Sequence, residues 1–269
     1  MGAAAVLVDG VASDRVAATD RGLAFGDGVF RTVAVRSSRP LNWTWHYRRL
    51  AADCALLRLE LPQERVLLDE IAAVAPADAV AKVIVTRGTS ARGYSIPEKA
   101  RCVRIVAAFP QPARGNDGEG GVRVRRCDLV LSQQPRLAGA KTLNRLENVL
   151  ARSEWDDAAI AEGLIADARG RVIEGTMTNI FAVRAGRVAT PDLSRCGVVG
   201  AQRERVREML AAVEVVDLDW RAIESADELF LTNSLIGAWP VTALGERTWP
   251  VGPVARRVQS MLAEADARA

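Results

Sequence analysis

The sequence predicts a mixed α/β protein of two domains, and three observations carry that expectation. Strand-like runs rich in β-branched residues recur along the 269 residues, and helical-period runs fall between them. One segment, Pro110 to Gly121 (PQPARGNDGEGG), breaks both patterns with proline, glycine and polar residues. It separates a smaller N-terminal α/β domain, 1–111, from a larger C-terminal domain, 121–269, with 112–120 as an exposed linker.

The elements follow in order. Ala4 to Val8 predicts a strand, and Phe30 to Val35 a second, after the glycine-rich turn Phe25-Gly26-Asp27-Gly28. His46, Leu50, Cys54 and Leu57 share one face of a helix that ends before Pro62, and Gln63 to Val74 predicts another. Strands at Ala81–Thr86 and Cys102–Phe109 flank the polar loop Arg87 to Ser95. Beyond the linker, Val122 to Leu131 reads as a strand. Leu143, Leu146 and Leu150 mark the buried face of a helix that starts near Lys141. Short strands run through Val188, and the glycine-bounded loop Gly197 to Gly200 opens into a helix carrying Val206, Met209, Leu210 and Val213. Asp227 to Leu231 predicts a short apolar strand ending in Thr232-Asn233-Ser234, and Val254, Val258, Met261 and Leu262 a closing helix. Predominantly short strands are expected throughout.

Composition narrows the function. A hydrophobic content of 49% with 26% charged residues describes an ordinary globular chain, and a net charge of +3 gives no basic patch for nucleic acid. No apolar run is long enough to span a bilayer, so no membrane partner is expected. Four cysteines without CxxC spacing read as buried, reduced thiols suited to the cytoplasm. A single histidine, His46, excludes histidine-cluster metal sites and makes a Ser-His-Asp triad improbable; it reads as a packing residue. No metal is expected.

Among 36 basic residues only Lys82, Lys99 and Lys141 are lysines. Where arginine serves for nearly every positive charge, a retained amine points to chemistry that a guanidinium cannot perform, such as Schiff-base formation. Lys82 lies in a strand-like run and Lys99 in a polar loop, whereas Lys141 follows the small apolar stretch Leu137 to Ala140. Downstream, Glu174 precedes a polar turn (Glu174-Gly175-Thr176-Met177-Thr178-Asn179), where a carboxylate could pair with a protonated ring nitrogen. The Gly197–Gly200 loop entering a helix, with the short donors of Thr232-Asn233-Ser234, suits a phosphate. An amine, an acid and an anion cradle together describe a site for pyridoxal 5′-phosphate.

These residues resemble the fold-type IV pyridoxal-phosphate enzymes, the group of branched-chain and D-amino-acid aminotransferases and aminodeoxychorismate lyases. The matching pieces are Asp20-Arg21-Gly22 with Phe25 to Phe30, His46-x-x-Arg49-Leu50, Arg87 with Arg92-Gly93-Tyr94-Ser95, Lys141 with Leu143-Asn144, Glu174 to Asn179, and Gly200 to Arg203. The resemblance implies the two-domain fold-type IV architecture, like that of D-amino-acid aminotransferase. It also implies that Lys141 bonds the cofactor aldehyde and Glu174 pairs with the ring nitrogen. Arg49, the backbone at Ala201 and Gln202, and Thr232-Asn233 would hold the phosphate. Arg145, Leu146 and Phe30 stand where the aminotransferases place a tyrosine on the cofactor. The aminotransferases usually show glutamate directly after the aromatic at 30; Arg31-Thr32 here is closer to the lyases, with Thr32 as a catalytic hydroxyl near the leaving pyruvyl group. Phe30, Arg92 and Tyr94 would contact substrate. The resemblance therefore implies a lyase acting on 4-amino-4-deoxychorismate in folate synthesis, with a D- or branched-chain aminotransferase as the alternative, and a cytoplasmic homodimer acting on a small molecule.

Overall fold

The computed structural model describes residues 5–75, 77–111, 120–210 and 212–268. They form two compact units, the first holding residues up to 111 with Ala140–Asn144, the second holding 120–139 and everything from Arg145 onward. All of the expected linker except Gly120 lies outside the described residues.

The first unit contains β1 (Val6–Val8), β2 (Val11–Ala12), α1 (Arg21–Phe25), β3 (Gly28–Arg36), β4 (Arg39–Pro40), α2 (Trp43–Leu57), α3 (Glu64–Val74), β5 (Ala79–Thr86) and β6 (Val103–Phe109). The strands make an antiparallel sheet in the order β2-β1-β6-β5-β3-β4. Side chains alternate along β3 because a strand has a period of two. Val29, Val33 and Val35 are buried with Leu50 and Cys54 of α2 and Leu67, Ile71 and Val74 of α3. Phe30, Thr32 and Ala34 occupy the opposite face and are half-buried. Helix α2 forms because its apolar positions recur at helical spacing; it stops at Arg58, whose left-handed backbone caps the last turn.

The second unit contains β7 (Val122–Leu131), α4 (Leu146–Arg152), β8 (Ile160–Asp167), β9 (Val172–Gly175), β10 (Asn179–Arg184), β11 (Arg187–Pro191), α5 (Ala201–Leu210), β12 (Val213–Val216), α6 (Trp220–Glu224), β13 (Glu228–Asn233), β14 (Gly237–Leu244), β15 (Arg247–Thr248) and α7 (Pro253–Ala267). Its mixed sheet runs β12-β11-β10-β13-β14-β7-β8-β9, with β15 paired to β14. Phe181 of β10 and Phe230 of β13 face each other in register and stack at 4.8 Å. Val206 of α5 and Ala255, Val258 and Leu262 of α7 pack on them.

Nine of the fifteen described strands have six residues or fewer, as expected, with β3 at 9 and β7 at 10 residues the longest. Two other expectations are corrected. The helix expected to start near Lys141 begins at Leu146, and Leu146 and Leu150 are 69% and 52% exposed. Residues 141–143 are held extended along β3 instead: the Phe30 N–H donates to the Lys141 carbonyl at 3.0 Å, and the Leu143 N–H donates to the Gly28 carbonyl at 3.0 Å. Backbone groups committed to a strand edge cannot also close helical turns. Finally, Val213 belongs to β12, where it pairs with Val188 of β11, and not to the helix ending at Leu210.

Candidate active site

The segment Ala140–Asn144 brings Lys141 into the first unit. Its half-buried amine lies 4.6 Å from the centroid of the Phe30 ring, within cation–π range. Lys82 of β5 approaches the same ring, its Nζ 5.0 Å from the centroid. Thr32 lies two residues beyond Phe30 on the same sheet face, and its register partner on β5 is Lys82. Two of the three lysines in the chain therefore meet at one aromatic ring, with the Thr32 side chain on that face. Lys99 is exposed.

Behind β3 lies a buried polar cluster built around Asp53 of α2. Arg31, on the core side of β3, pairs with the Asp53 carboxylate and donates to the Arg49 carbonyl at 3.3 Å. Asp53 also accepts from the Arg49 guanidinium at 3.3 Å, one helical turn away, and from the Lys141 backbone N–H at 3.1 Å. Arg31 and Asp53 are 2% and 1% exposed. Burial, with the Arg49 guanidinium alongside, pulls the Arg31 pKa down to about 9, which leaves a cation at neutral pH for Asp53 to balance. One carboxylate thus ties together the backbone under Lys141, the side chain of Arg49 and the residue after Phe30. His46 is buried beside them, and neither ring nitrogen has a hydrogen-bond partner among the described residues. Burial, then repulsion from Arg31 and Lys141, drops its pKa to about 3, so it is a neutral packing residue.

Arg92 and Tyr94 occupy an exposed loop. The loop is shaped from beneath by buried Arg21, which donates to the carbonyls of Gly93 at 3.0 Å and Tyr94 at 3.2 Å. Asp27 fixes Arg21 and Arg87 together, accepting from each Nε at 2.8 Å. Hydrogen bonds from the two guanidinium groups hold the Asp27 carboxyl below its usual range against the opposing effect of burial. The Tyr94 ring lies 5.2 Å from that of Phe25.

In the second unit, Glu174 on β9 is buried, and its Oε2 accepts the Val198 N–H at 2.8 Å. Gly197, just before, has φ +83, and an added Cβ would lie 2.6 Å from Ile173 Cγ2, so both backbone and space require glycine. Asn179 clasps the same loop, donating to the Val198 carbonyl at 2.8 Å and accepting from the Gly200 N–H at 3.0 Å. Helix α5 then starts at Ala201, with Ala201 and Gln202 buried at an N-terminus, where first-turn N–H groups have no intrahelical acceptor. Thr232 pairs in register with Asn179, and its buried hydroxyl has no partner among the described residues. Asn233 instead shapes its own turn, accepting from Leu235 at 2.9 Å and Ile236 at 3.0 Å. Such a helix start beside an orphaned hydroxyl, with a buried carboxylate held against the loop that precedes it, fits the phosphate and ring nitrogen of pyridoxal phosphate.

Sequence reasoning missed Glu162 on β8. Fully buried, it accepts from the Thr176 N–H and hydroxyl at 3.0 and 2.5 Å, the Met177 N–H at 3.1 Å and the Thr178 hydroxyl at 3.0 Å. It fixes the turn directly after Glu174-Gly175. The signal was there to read: a lone acid in the apolar run Ile160 to Ala166.

Among the described residues no group of three His, Cys, Asp or Glu could hold a metal, and no helix is long and apolar enough to cross a membrane. The chain belongs to the amino-transferase class IV family, whose model matches residues 28–244; the family is one of pyridoxal-phosphate enzymes. More particularly, it is similar to the aminodeoxychorismate lyase of Vibrio harveyi, at 34% identity over 95% of this chain and 98% of that one. It also superposes on the crystal structure of 4-amino-4-deoxychorismate lyase from Pseudomonas aeruginosa with a TM-score of 0.91 and 43% identity, covering 96% of this chain and 98% of the other. The T.th. branched-chain amino acid aminotransferase, solved with pyridoxamine 5′-phosphate, shares the fold (TM-score 0.84, 23% identity, 98% and 94% covered).

Proposed function

We propose that this enzyme is an aminodeoxychorismate lyase, converting 4-amino-4-deoxychorismate into 4-aminobenzoate and pyruvate. The observation that carries the reading is the grouping on β3 and its neighbour: the Lys141 amine against the Phe30 ring, with Thr32 on the same face. Close similarity to two lyases over almost the whole chain supports it.

Each residue has a task. Lys141 would hold the cofactor by its aldehyde through Nζ. Glu174 would keep a proton on the cofactor ring nitrogen, and Arg49, the backbone of Ala201 and Gln202, and the Thr232–Asn233 turn would bind its phosphate. Pyridoxal phosphate would supply there an aldehyde for the substrate amine and an electron sink for the amine-bearing carbon. The freed Lys141 Nζ removes the proton from that carbon, which requires it to be neutral at that step. Thr32 Oγ1 delivers a proton to the departing enolpyruvyl fragment. Phe30 walls the amine, and Arg92 and Tyr94 meet a substrate carboxylate.

Exposed Leu146, Val149 and Leu150 along α4 support a homodimer; a monomer mass in analytical sedimentation would contradict it. Four free cysteines support a cytoplasmic setting. The deciding experiment is incubation of the protein with 4-amino-4-deoxychorismate and no 2-oxo acid. Equimolar 4-aminobenzoate and pyruvate are expected. Turnover that requires a 2-oxo acid would make the protein an aminotransferase, the reading its family membership favours next.

A further inference from the structure

Lys82 has no role in the site as built so far, yet its surroundings are not those of a solvated surface charge. It is half-buried in the middle of β5, on the sheet face that carries Phe30 and Thr32. Its neighbours across the strands are Thr32 on β3 and Ala107 on β6, and Ile84 and Ile105 extend the same face. Its amine makes no ion pair or hydrogen bond among the described residues, and it lies 5.0 Å from the centroid of the Phe30 ring. Since Lys141 Nζ stands 4.6 Å from that centroid, the two amines are at most 9.6 Å apart, the sum of the two distances. Register partners in an antiparallel pair have Cβ atoms about 4.5–5.5 Å apart, so Lys82 stands directly beside the Thr32 position on its strand.

A half-buried cation with no counter-ion among the described residues, sharing an aromatic ring with the Lys141 amine, is a site for an anion. We propose that Lys82 binds a carboxylate of the substrate, the one on the enolpyruvyl side chain that leaves as pyruvate. This rests on the lyase reading, because that substrate carries two carboxylates and Thr32 is assigned to the departing fragment. The alternative for Lys82, a purely structural cation over an aromatic ring, makes different predictions for ligand binding.

The test uses the cofactor-loaded enzyme and the variants Lys82→Met, which keeps the stem, Lys82→Gln, which keeps polarity, and Lys82→Arg, which keeps charge. The binding probe is chorismate, which has both carboxylates but no amine to react, titrated by calorimetry. Removing a charge-assisted hydrogen bond at a half-buried site weakens binding about 10- to 100-fold in the Met and Gln variants, and Lys82→Arg recovers most of it. Product inhibition divides the two carboxylates: inhibition by pyruvate weakens similarly, while inhibition by 4-aminobenzoate stays within about 2-fold. Cofactor content is unchanged. Chorismate affinity equal to the unmodified enzyme, equal weakening of both product inhibitions, or variants that fail to fold would each overturn the proposal. An unmodified enzyme that forms no 4-aminobenzoate would instead overturn the lyase reading.

Discussion

Replacing Asp53 with alanine removes the one counter-charge of Arg31 among the described residues, Arg31 being 2% exposed, and the acceptor of the Lys141 backbone N–H. Arg49 lies partly in solvent and can be rehydrated, so the cost falls mainly on Arg31. Breaking a buried ion pair from one side costs about 3–5 kcal/mol, because the remaining charge stays desolvated. For a chain of this length that corresponds to a fall of roughly 6–20 °C in Tm. The assay is denaturant unfolding with a double-mutant cycle. Asp53→Ala should be the most damaging of the series, Arg31→Met alone less so, and Arg31→Met with Asp53→Ala should recover a large part of the loss, since no buried charge is then left unpaired. Asp53→Asn, which retains an acceptor for Lys141, should fall between. A loss under about 1 kcal/mol for Asp53→Ala would refute the reasoning, as would strictly additive single and double variants.

Other outcomes follow from the same structure. His46 is pulled to about 3 from 6.5, so between those values the unfolded chain binds a proton that the folded chain does not, and stability falls as pH drops below 6.5. The slope from this group is about 1.4 kcal/mol per pH unit; His46→Phe should flatten it in acid denaturation curves, and an unchanged slope would contradict a buried neutral ring. Glu162→Ala removes the acceptor of the Thr176 and Thr178 hydroxyls and of the Met177 N–H, each worth about 1–3 kcal/mol, and should weaken cofactor retention measured by dialysis. Burial pushes the thiols of Cys54 and Cys127 up to about 12 and that of Cys196 up to about 11. Alkylation of these three at pH 8 should therefore wait for unfolding, and rapid labelling of the native protein would count against their placement. Thr32→Ala should slow pyruvate release far more than cofactor loading, and intact turnover would remove the lyase-specific role of the hydroxyl.

Part of the candidate site is legible from residue types, and what is not escapes for physical reasons. Lys141 and Glu174 stand out because an amine is rare in this chain and an acid at a strand end is easily seen. Phe30 and Thr32 share a face by strand period alone. Arg31 lies on the core side with Val29, Val33 and Val35, where a charged residue needs a partner, and only the packing of α2 on β3 brings Asp53 to it. The helix expected at Lys141 failed because leucine spacing records periodicity and not exposure: Leu146 and Leu150 do lie on one helix face, but an open one. Lys82 looked like a solvated strand charge until β3 and β5 came into register. Short elements such as α1 and β15 carry too few residues to show any period.

With only three lysines, the attachment point can be determined independently of turnover. Loading the protein with pyridoxal phosphate, reducing with borohydride and mapping the peptides by mass should place the pyridoxyl group on Lys141 alone. Attachment at Lys82 or Lys99 with Lys141 unmodified, or no attachment at any of the three, would contradict the account.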